Sequence, residues 1–327
     1  MTKGPAHLRQ FTRDLAAALV AVCLTGAVPA QINNTESATI AAALDAIEVR
    51  DFAQALAKLS PLAELGNRDA QFLMGLLNEA LAIPGSTLVD AASWYAKSAA
   101  AGHAKAQNNL GAMYFDGRGV NQDVAQALLW YGRAAEQGNP QAQLNYALML
   151  GLGLGQQSTA APAGSSGTPE GARDPAGMLR WLLLASEQNY DRAQVQLGKL
   201  YLAGRDFPAD MSEAAYWFRR AAESGSGASA TEAQYLLAAM LQKGEGMKRD
   251  LVEAIVWFLR AAAAEPSSAM AASNYELGVI YELGLGVTAN AEKSASYYRR
   301  AADAGHARAR EKINVDKSNT GKIRKAK

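Results

Sequence analysis

Residues 106–138 read AQNNLGAMYFDGRGVNQDVAQALLWYGRAAEQG, and the spacing within this stretch decides the fold. Ala106, Leu110, Gly111 and Tyr114 fall at i, i+4, i+5 and i+8, which places them on one face of a helix. Gly117 and Gly119 end that helix, because glycine accepts the positive φ of a C-terminal cap. Asp123 stands where a side-chain oxygen caps a second helix, whose Ala127, Trp130, Tyr131 and Ala134 again share a face, and Gly138 stops it. The stretch predicts a helical hairpin. A hairpin this small cannot bury both apolar faces alone and must stack on neighbours of its own kind.

Those neighbours are in the chain. Trp94-Tyr95, Trp130-Tyr131, Trp181-Leu182, Trp217-Phe218, Trp257-Phe258 and Tyr297-Tyr298 lie 36, 51, 36, 40 and 40 residues apart. Ala70-Gln71, Ala106-Gln107, Ala142-Gln143, Ala193-Gln194, Ala233-Gln234 and Ser273-Asn274 repeat with the same gaps. Two independent markers in step predict six hairpins. The dominance of Ala over Val and Ile suits close-packed helices rather than sheet.

The pattern Ala-x-x-x-Leu-Gly-x-x-Tyr-x-x-Gly-x-Gly-Val, then Ala-x-x-Trp-Tyr-x-x-Ala-Ala-x-x-Gly, resembles the Sel-one-like repeat family, a branch of the tetratricopeptide-like superhelices. Leu277-Gly278, Tyr281, Gly284-Leu285-Gly286-Val287, Ala295, Tyr297-Tyr298, Ala301-Ala302 and Gly305 carry it again in the last copy. The resemblance covers roughly residues 51–310. It implies an all-α fold, an α-solenoid of stacked helical hairpins wound as a tetratricopeptide-like right-handed superhelix. Residues 31–69, with Asp51-Phe52, Ala55 and Leu62–Gly66, read as a degenerate repeat forming a helical cap, and residues 70–309 as the six repeats. In the first copy Leu81-Ala82-Ile83-Pro84 replaces the glycine loop. The third copy holds a Gly-, Ser-, Pro- and Ala-rich insertion at about 156–177, expected as a flexible loop that is either simply tolerated or used to grip a partner. The longer copies are expected to place their extra residues in the turns around 224–229 and 266–271.

The ends differ from the body. Lys3, Arg9 and Arg13 precede an apolar run from Leu15 to Leu24, and Val28-Pro29-Ala30 supplies small residues for cleavage, so residues 1–30 are expected to be a signal peptide cut after Ala30. The run is too short for a membrane span. Periplasmic or secreted placement follows as an expectation. Cys23, the only cysteine, lies within that segment, so the mature chain would have no thiol and no disulfide. The net charge of +1 excludes a polyanion partner for the whole chain, and no basic face with interleaved aromatics suggests nucleic acid. The exception is residues 308–327, where eight bases face Glu311 and Asp316. From about 310 to 327 this reads as a basic, disordered tail after a short capping helix, able to make weak contact with an anionic envelope surface.

Catalytic material is scarce, and no enzymatic activity, cofactor or metal is expected. His103 and His306 both follow a repeat-ending glycine and read as turn residues. There is no His-x-x-x-His and no Ser-x-x-Lys, which weakens the alternative of a cell-wall hydrolase or β-lactamase-like enzyme. The glycine pairs lack the strand before and the Gly-Lys-Ser/Thr ending of a phosphate loop. In tetratricopeptide-like stacks the first helix of each hairpin lines the concave face. Positions two, six and nine after the marker Ala are therefore the expected lining: Phe72, Leu76, Asn108, Phe115, Leu144, Leu148, Val195, Lys199, Tyr235, Tyr275 and Val279. A lining this apolar suits a protein or peptide partner, with envelope assembly or signalling as plausible settings. A purely structural spacer, its groove filled by its own side chains, is the other reading.

Overall fold

The alternation of stripe, glycine, cap and stripe is realised as consecutive helices in the computed structural model, which describes residues 34–154, 172–224 and 227–314. A leading hairpin, α1 (Asn34–Glu48) and α2 (Phe52–Glu64), precedes the repeats. In the first unit α3 (Arg68–Glu79) packs with α4 (Leu88–Ala100) and α5 (Ala104–Asp116) with α6 (Val124–Glu136), α7 (Pro140–Leu152) follows on α6, and the second unit begins with α8 (Pro175–Glu187). Then come α9 (Asp191–Ala203) with α10 (Met211–Glu223), α11 (Ala228–Lys243) with α12 (Leu251–Ala262), and α13 (Ser268–Leu283) with α14 (Ala291–Asp303). A final helix occupies 307–314. Among the described residues there is no strand, and no helix is long and apolar enough to cross a membrane. The fold is an all-α array of stacked hairpins, in two compact units, residues 1–174 and 175–327.

The caps sit where the sequence puts them. Asp123 Oδ1 accepts the Gln126 N–H at 2.9 Å, and Gly117 closes α5 at φ 68°. Asp51, Asp210, Asp250 and Asn290 cap other helices in the same way, satisfying N–H groups that a helix start leaves open. The helix–helix crossing inside a hairpin explains Leu-Gly. A Cβ on Gly111, Gly198 or Gly278 would fall 2.9, 2.6 or 2.7 Å from the ring of Tyr131, Phe218 or Tyr298. Each ring lies against glycine backbone, and Phe218 is completely buried.

The Ala-Gln marker is a joint between hairpins. Gln71, Gln107, Gln143 and Gln194 each donate from Nε2 to the carbonyl eight residues earlier (Ala63, Ala99, Ala135, Ser186) at 3.0–3.3 Å. Gln234 does the same to Ala222 across a longer turn. These carbonyls belong to the last turn of the preceding second helix, where no intrahelical donor remains. Ser273-Asn274 departs from the pattern. Asn274 turns back to Met270 O, and the Ser273 hydroxyl is buried without a partner. The Trp marker lies beneath a base, buried in Trp217 and Trp257 and half-buried in Trp94 and Trp130: Lys97, Arg133, Arg220 and Arg260 lie 4.0–5.1 Å from the rings of Trp94, Trp130, Trp217 and Trp257.

Several boundaries differ from expectation. The extra residues of the 40-residue copies do not lengthen turns alone; α11 and α13 have 16 residues where other first helices have 12 or 13. Ala228-Ser229-Ala230 and Ser268-Ala269-Met270 are compatible with an added helical turn, so the helices begin earlier. The insertion ends sooner than 177, because Pro175 opens α8. Arg173 and Asp174 are tied back to α7, donating to Gly151 O at 2.6 Å and Leu150 O at 2.9 Å. Helix 307–314 carries the first five residues assigned to the tail. The expectations for residues 1–30, for most of the insertion and for the tail beyond 314 lie outside the described residues.

Candidate functional site

A groove needs an inner side, and helix contacts identify it. Within the first unit α3 touches α5; within the second α9 touches α11 and α11 touches α13. The second helices of successive hairpins make no comparable contact among the described residues. First helices therefore crowd together on the inner side of each unit.

The expected lining divides by position. Two residues after the marker, Phe72, Asn108, Leu144 and Val195 are buried, at 5%, 7%, 2% and 1% exposure, and cannot face a partner. The physical reason is that a first helix is packed on three sides, by its own second helix and by the repeat on either side. Phe72 stacks at 4.4 Å on His103 of the next turn, and Asn108 Oδ1 accepts from Asn145 Nδ2 at 3.1 Å. Tyr235 and Tyr275, at the same position, remain half-buried. Position six stays accessible: Leu76, Lys199 and Val279 are half-buried, and Leu148 is exposed. Phe115, at position nine, is exposed.

From the second copy onward the open stripe thus runs along positions three, six and ten, one helical line, whereas Leu73 at position three of the first copy is buried. The sequence reading missed Leu236 and Glu276 at position three and Lys243 and Leu283 at position ten; extending the i, i+3, i+7 line through Ala239 and Val279 finds them. In the second unit this line is charged as well as apolar. Lys199 Nζ meets Glu232 Oε1 at 2.7 Å, and burial raises the Glu276 carboxyl above the usual carboxylate range despite a hydrogen bond from Gln242.

Position nine proves structural in two copies. Glu79 accepts the Tyr95 hydroxyl at 2.6 Å and Arg118 Nη1 at 2.9 Å. Glu282 accepts the Tyr298 hydroxyl at 2.6 Å and Lys312 Nζ at 2.7 Å. The Lys312 and Tyr298 hydrogen bonds hold the Glu282 carboxyl below its ordinary range, whereas burial drives both tyrosines up. Arg118 comes from the Gly-x-Gly loop of the following repeat, so this carboxylate ties one repeat to the next.

Both histidines cap helices. His103 Nδ1 accepts the Ala106 N–H at 3.1 Å, and His306 Nδ1 accepts the Ala309 N–H at 3.4 Å while stacking on Tyr275. An accepting Nδ1 requires the neutral ring protonated on Nε2. Burial, aided by Arg68 and Lys105 and opposed by Asp69, lowers the His103 pKa from 6.5 to about 4. The unfolded chain takes up this proton first, so the stabilisation is complete above pH 6.5 and is lost as pH falls from 6.5 toward 4, by up to about 3 kcal/mol. His103→Asn should keep the cap, as Asn67 and Asn139 do in equivalent places. It should also flatten the pH dependence of the melting temperature across that interval. Melts of both proteins from pH 7 to 4 test this; parallel curves would exclude His103 as the source.

No three His, Cys, Asp or Glu side chains converge as a metal site among the described residues.

The Sel1 repeat family profile matches residues 68–103, 104–139, 140–159, 191–226, 231–265 and 271–306. A protective antigen of uropathogenic Escherichia coli with an SLR fold superposes with a TM-score of 0.71 at 26% identity, over 90% of this chain and 57% of that one. The present chain thus spans little more than half of that protein. A Sel1 repeat protein from Oxalobacter formigenes superposes with a TM-score of 0.64 at 27% identity, over 80% of this chain and 96% of its own. No functionally curated protein matches.

Proposed function

The chain belongs to the Sel1-repeat family, and on that premise we propose that it is an exported scaffold holding a peptide or protein partner along the inner face of its first helices. Sel1-repeat proteins generally act as protein–protein interaction scaffolds, and their solenoid is typically non-enzymatic. The observation that carries the finer reading is the pair Tyr235 and Tyr275. They occupy the same position on α11 and α13, and both stay half-open where the equivalent residues of earlier repeats are buried. Tyrosine offers apolar area and a polar tip at low entropic cost, which suits a peptide-binding groove. Lys199, Glu232 and Glu276 add charges that could set the direction of a bound chain.

Tyr275 also stacks on His306, so its replacement would disturb packing. Lys199→Glu with Val279→Glu is the cleaner test, since both side chains lie on the open line. In crosslinked co-purification from cells, proteins captured by the wild type should fall about tenfold or more with the double variant, while its melting temperature stays within a few degrees. Equal capture would refute the groove.

Export rests on the basic, apolar and small-residue segments of residues 1–30. A role in envelope assembly or signalling, and contact of the basic tail with an anionic envelope surface, belong to the same proposal. Cell fractionation with N-terminal sequencing should find an extracytoplasmic protein beginning at Gln31; a cytoplasmic chain retaining Met1 would overturn it.

A further inference from the structure

The last hairpin carries an unfilled copy of a socket that other repeats of this chain fill. Four second helices can be read in one register. Their first residues are Leu88, Met211, Leu251 and Ala291, the residues four further on are Ala92, Ala215, Ile255 and Ala295, and the rings seven further on are Tyr95, Phe218, Phe258 and Tyr298. In the first three, the second glycine of the next Gly-x-Gly loop lies on the first residue. Gly119 abuts the Leu88 carbonyl, Gly246 the Met211 carbonyl, and Gly286 approaches Leu251 Cβ so closely that an added Cβ would stand 2.8 Å away. The apolar residue after that glycine, Val120, Met247 or Val287, packs into the neighbouring core. Ala92, Ala215 and Ile255 are buried at 3%, 3% and 7% exposure as a result. On α14, Ala291 and Ala295 are exposed. With Glu282, Ala289, Ser294, Tyr298 and Lys312 of the final helix they border a cavity of about 390 Å³.

Helix 307–314 shows how the stack stops short of filling it. Ala309 is fully buried and follows Ser273 by 36 residues, Arg310 Nε donates to Ala302 O at 3.1 Å as a joint glutamine would, and His306 caps as His103 does. The helix is the first half of a seventh hairpin. Its Lys312 already satisfies Glu282, the task of Arg118 in the first socket. Thirteen residues past the marker, where Gly119, Gly246 and Gly286 stand, the chain has Lys322. The tail therefore lacks the second glycine of this register. In a second copy the Gly119, Gly246 and Gly286 turns are likewise seated on its own helices.

We propose that this cavity is a docking socket for a Gly-x-Gly-apolar turn of a different polypeptide, so that the stack is continued in trans from its C-terminal end. Recognition would rest on a glycine backbone laid against Ala291 and an apolar side chain entering beside Ala295 and Tyr298. This site is separate from the inner groove, and neither proposal depends on the other.

The probe is a backbone-cyclised peptide carrying Leu-Gly-Leu-Gly-Val-Thr, the sequence of residues 283–288, titrated into the full chain with α14 amide shifts as the readout. Saturable shifts centred on Ala291 and Ala295 are expected. Affinity should weaken about tenfold or more when the second glycine of the peptide is alanine, or when the protein carries Ala295→Arg, which points from an exposed position and spares the core. Absence of binding, equal binding of the alanine peptide, or binding unaffected by Ala295→Arg would overturn the proposal. So would tighter binding by a chain ending at Asn314, which would assign the socket to the chain's own tail, or self-association abolished by Ala295→Arg, which would assign it to a second copy.

Discussion

Gly246→Ala should destabilise the second unit by about 2–5 kcal/mol, because two independent costs meet at one atom. Gly246 sits at φ 71°, where an L side chain strains the backbone by about 1–2 kcal/mol. Its Cβ would also overlap the Met211 carbonyl and lie 2.9 Å from Met211 Cβ, and a helix backbone cannot yield as a flexible side chain can. Gly138→Ala is the control. Gly138 has φ 84° but nothing within 4 Å of the added carbon, so only the conformational cost of about 1–2 kcal/mol applies. Urea unfolding followed by tryptophan fluorescence measures both. Equal losses would mean that the loop is not clamped on α10.

Phe218→Ala is expected to cost about 3–5 kcal/mol, since the ring is fully buried against Gly198 and its removal leaves a cavity that backbone cannot collapse to fill. Gly198→Ala should be milder, as the fifth repeat already pairs Ala238 with a buried Phe258. Phe218→Tyr separates packing from polarity. Tyr95 and Tyr298 spend their hydroxyls on Glu79 and Glu282, whereas the corresponding residue here is Leu202. The stranded hydroxyl should cost about 1–3 kcal/mol, with recovery in the Phe218→Tyr, Leu202→Glu double variant. Thermal and urea unfolding of the four proteins decides it, and strict additivity would rule out the coupling.

The hairpins were legible because their signals are local. Gly117, Asp123 and Leu110-Gly111 each act within a few residues, and a period of 36 repeats them until chance is excluded. The Ala-Gln marker was visible, but its job was not, since the carbonyl it serves lies in the previous hairpin. The lining was harder still. Counting from Ala70 assigns Phe72 to the lining, yet Tyr95 of its own hairpin and His103 of the next turn cover its ring. Burial of Leu144 and Val195 arises from stacking, which a single hairpin does not encode. Glu79 and Glu282 looked like groove residues because the tyrosines they bind are sixteen residues away. Helix 307–314 escaped notice as a half-repeat, because Arg310 replaces the marker glutamine and no glycine loop follows in register.

The glutamine joints bear on how such a chain changes length. Gln107 reads nothing of its neighbour except a main-chain carbonyl, which every residue type presents. Any hairpin ending in a comparable last turn can therefore accept this joint, and duplication or loss of a whole unit leaves the glutamine-to-carbonyl contact intact. Length becomes a heritable variable that recombination can alter in steps of one repeat, with no compensating substitution needed at this joint.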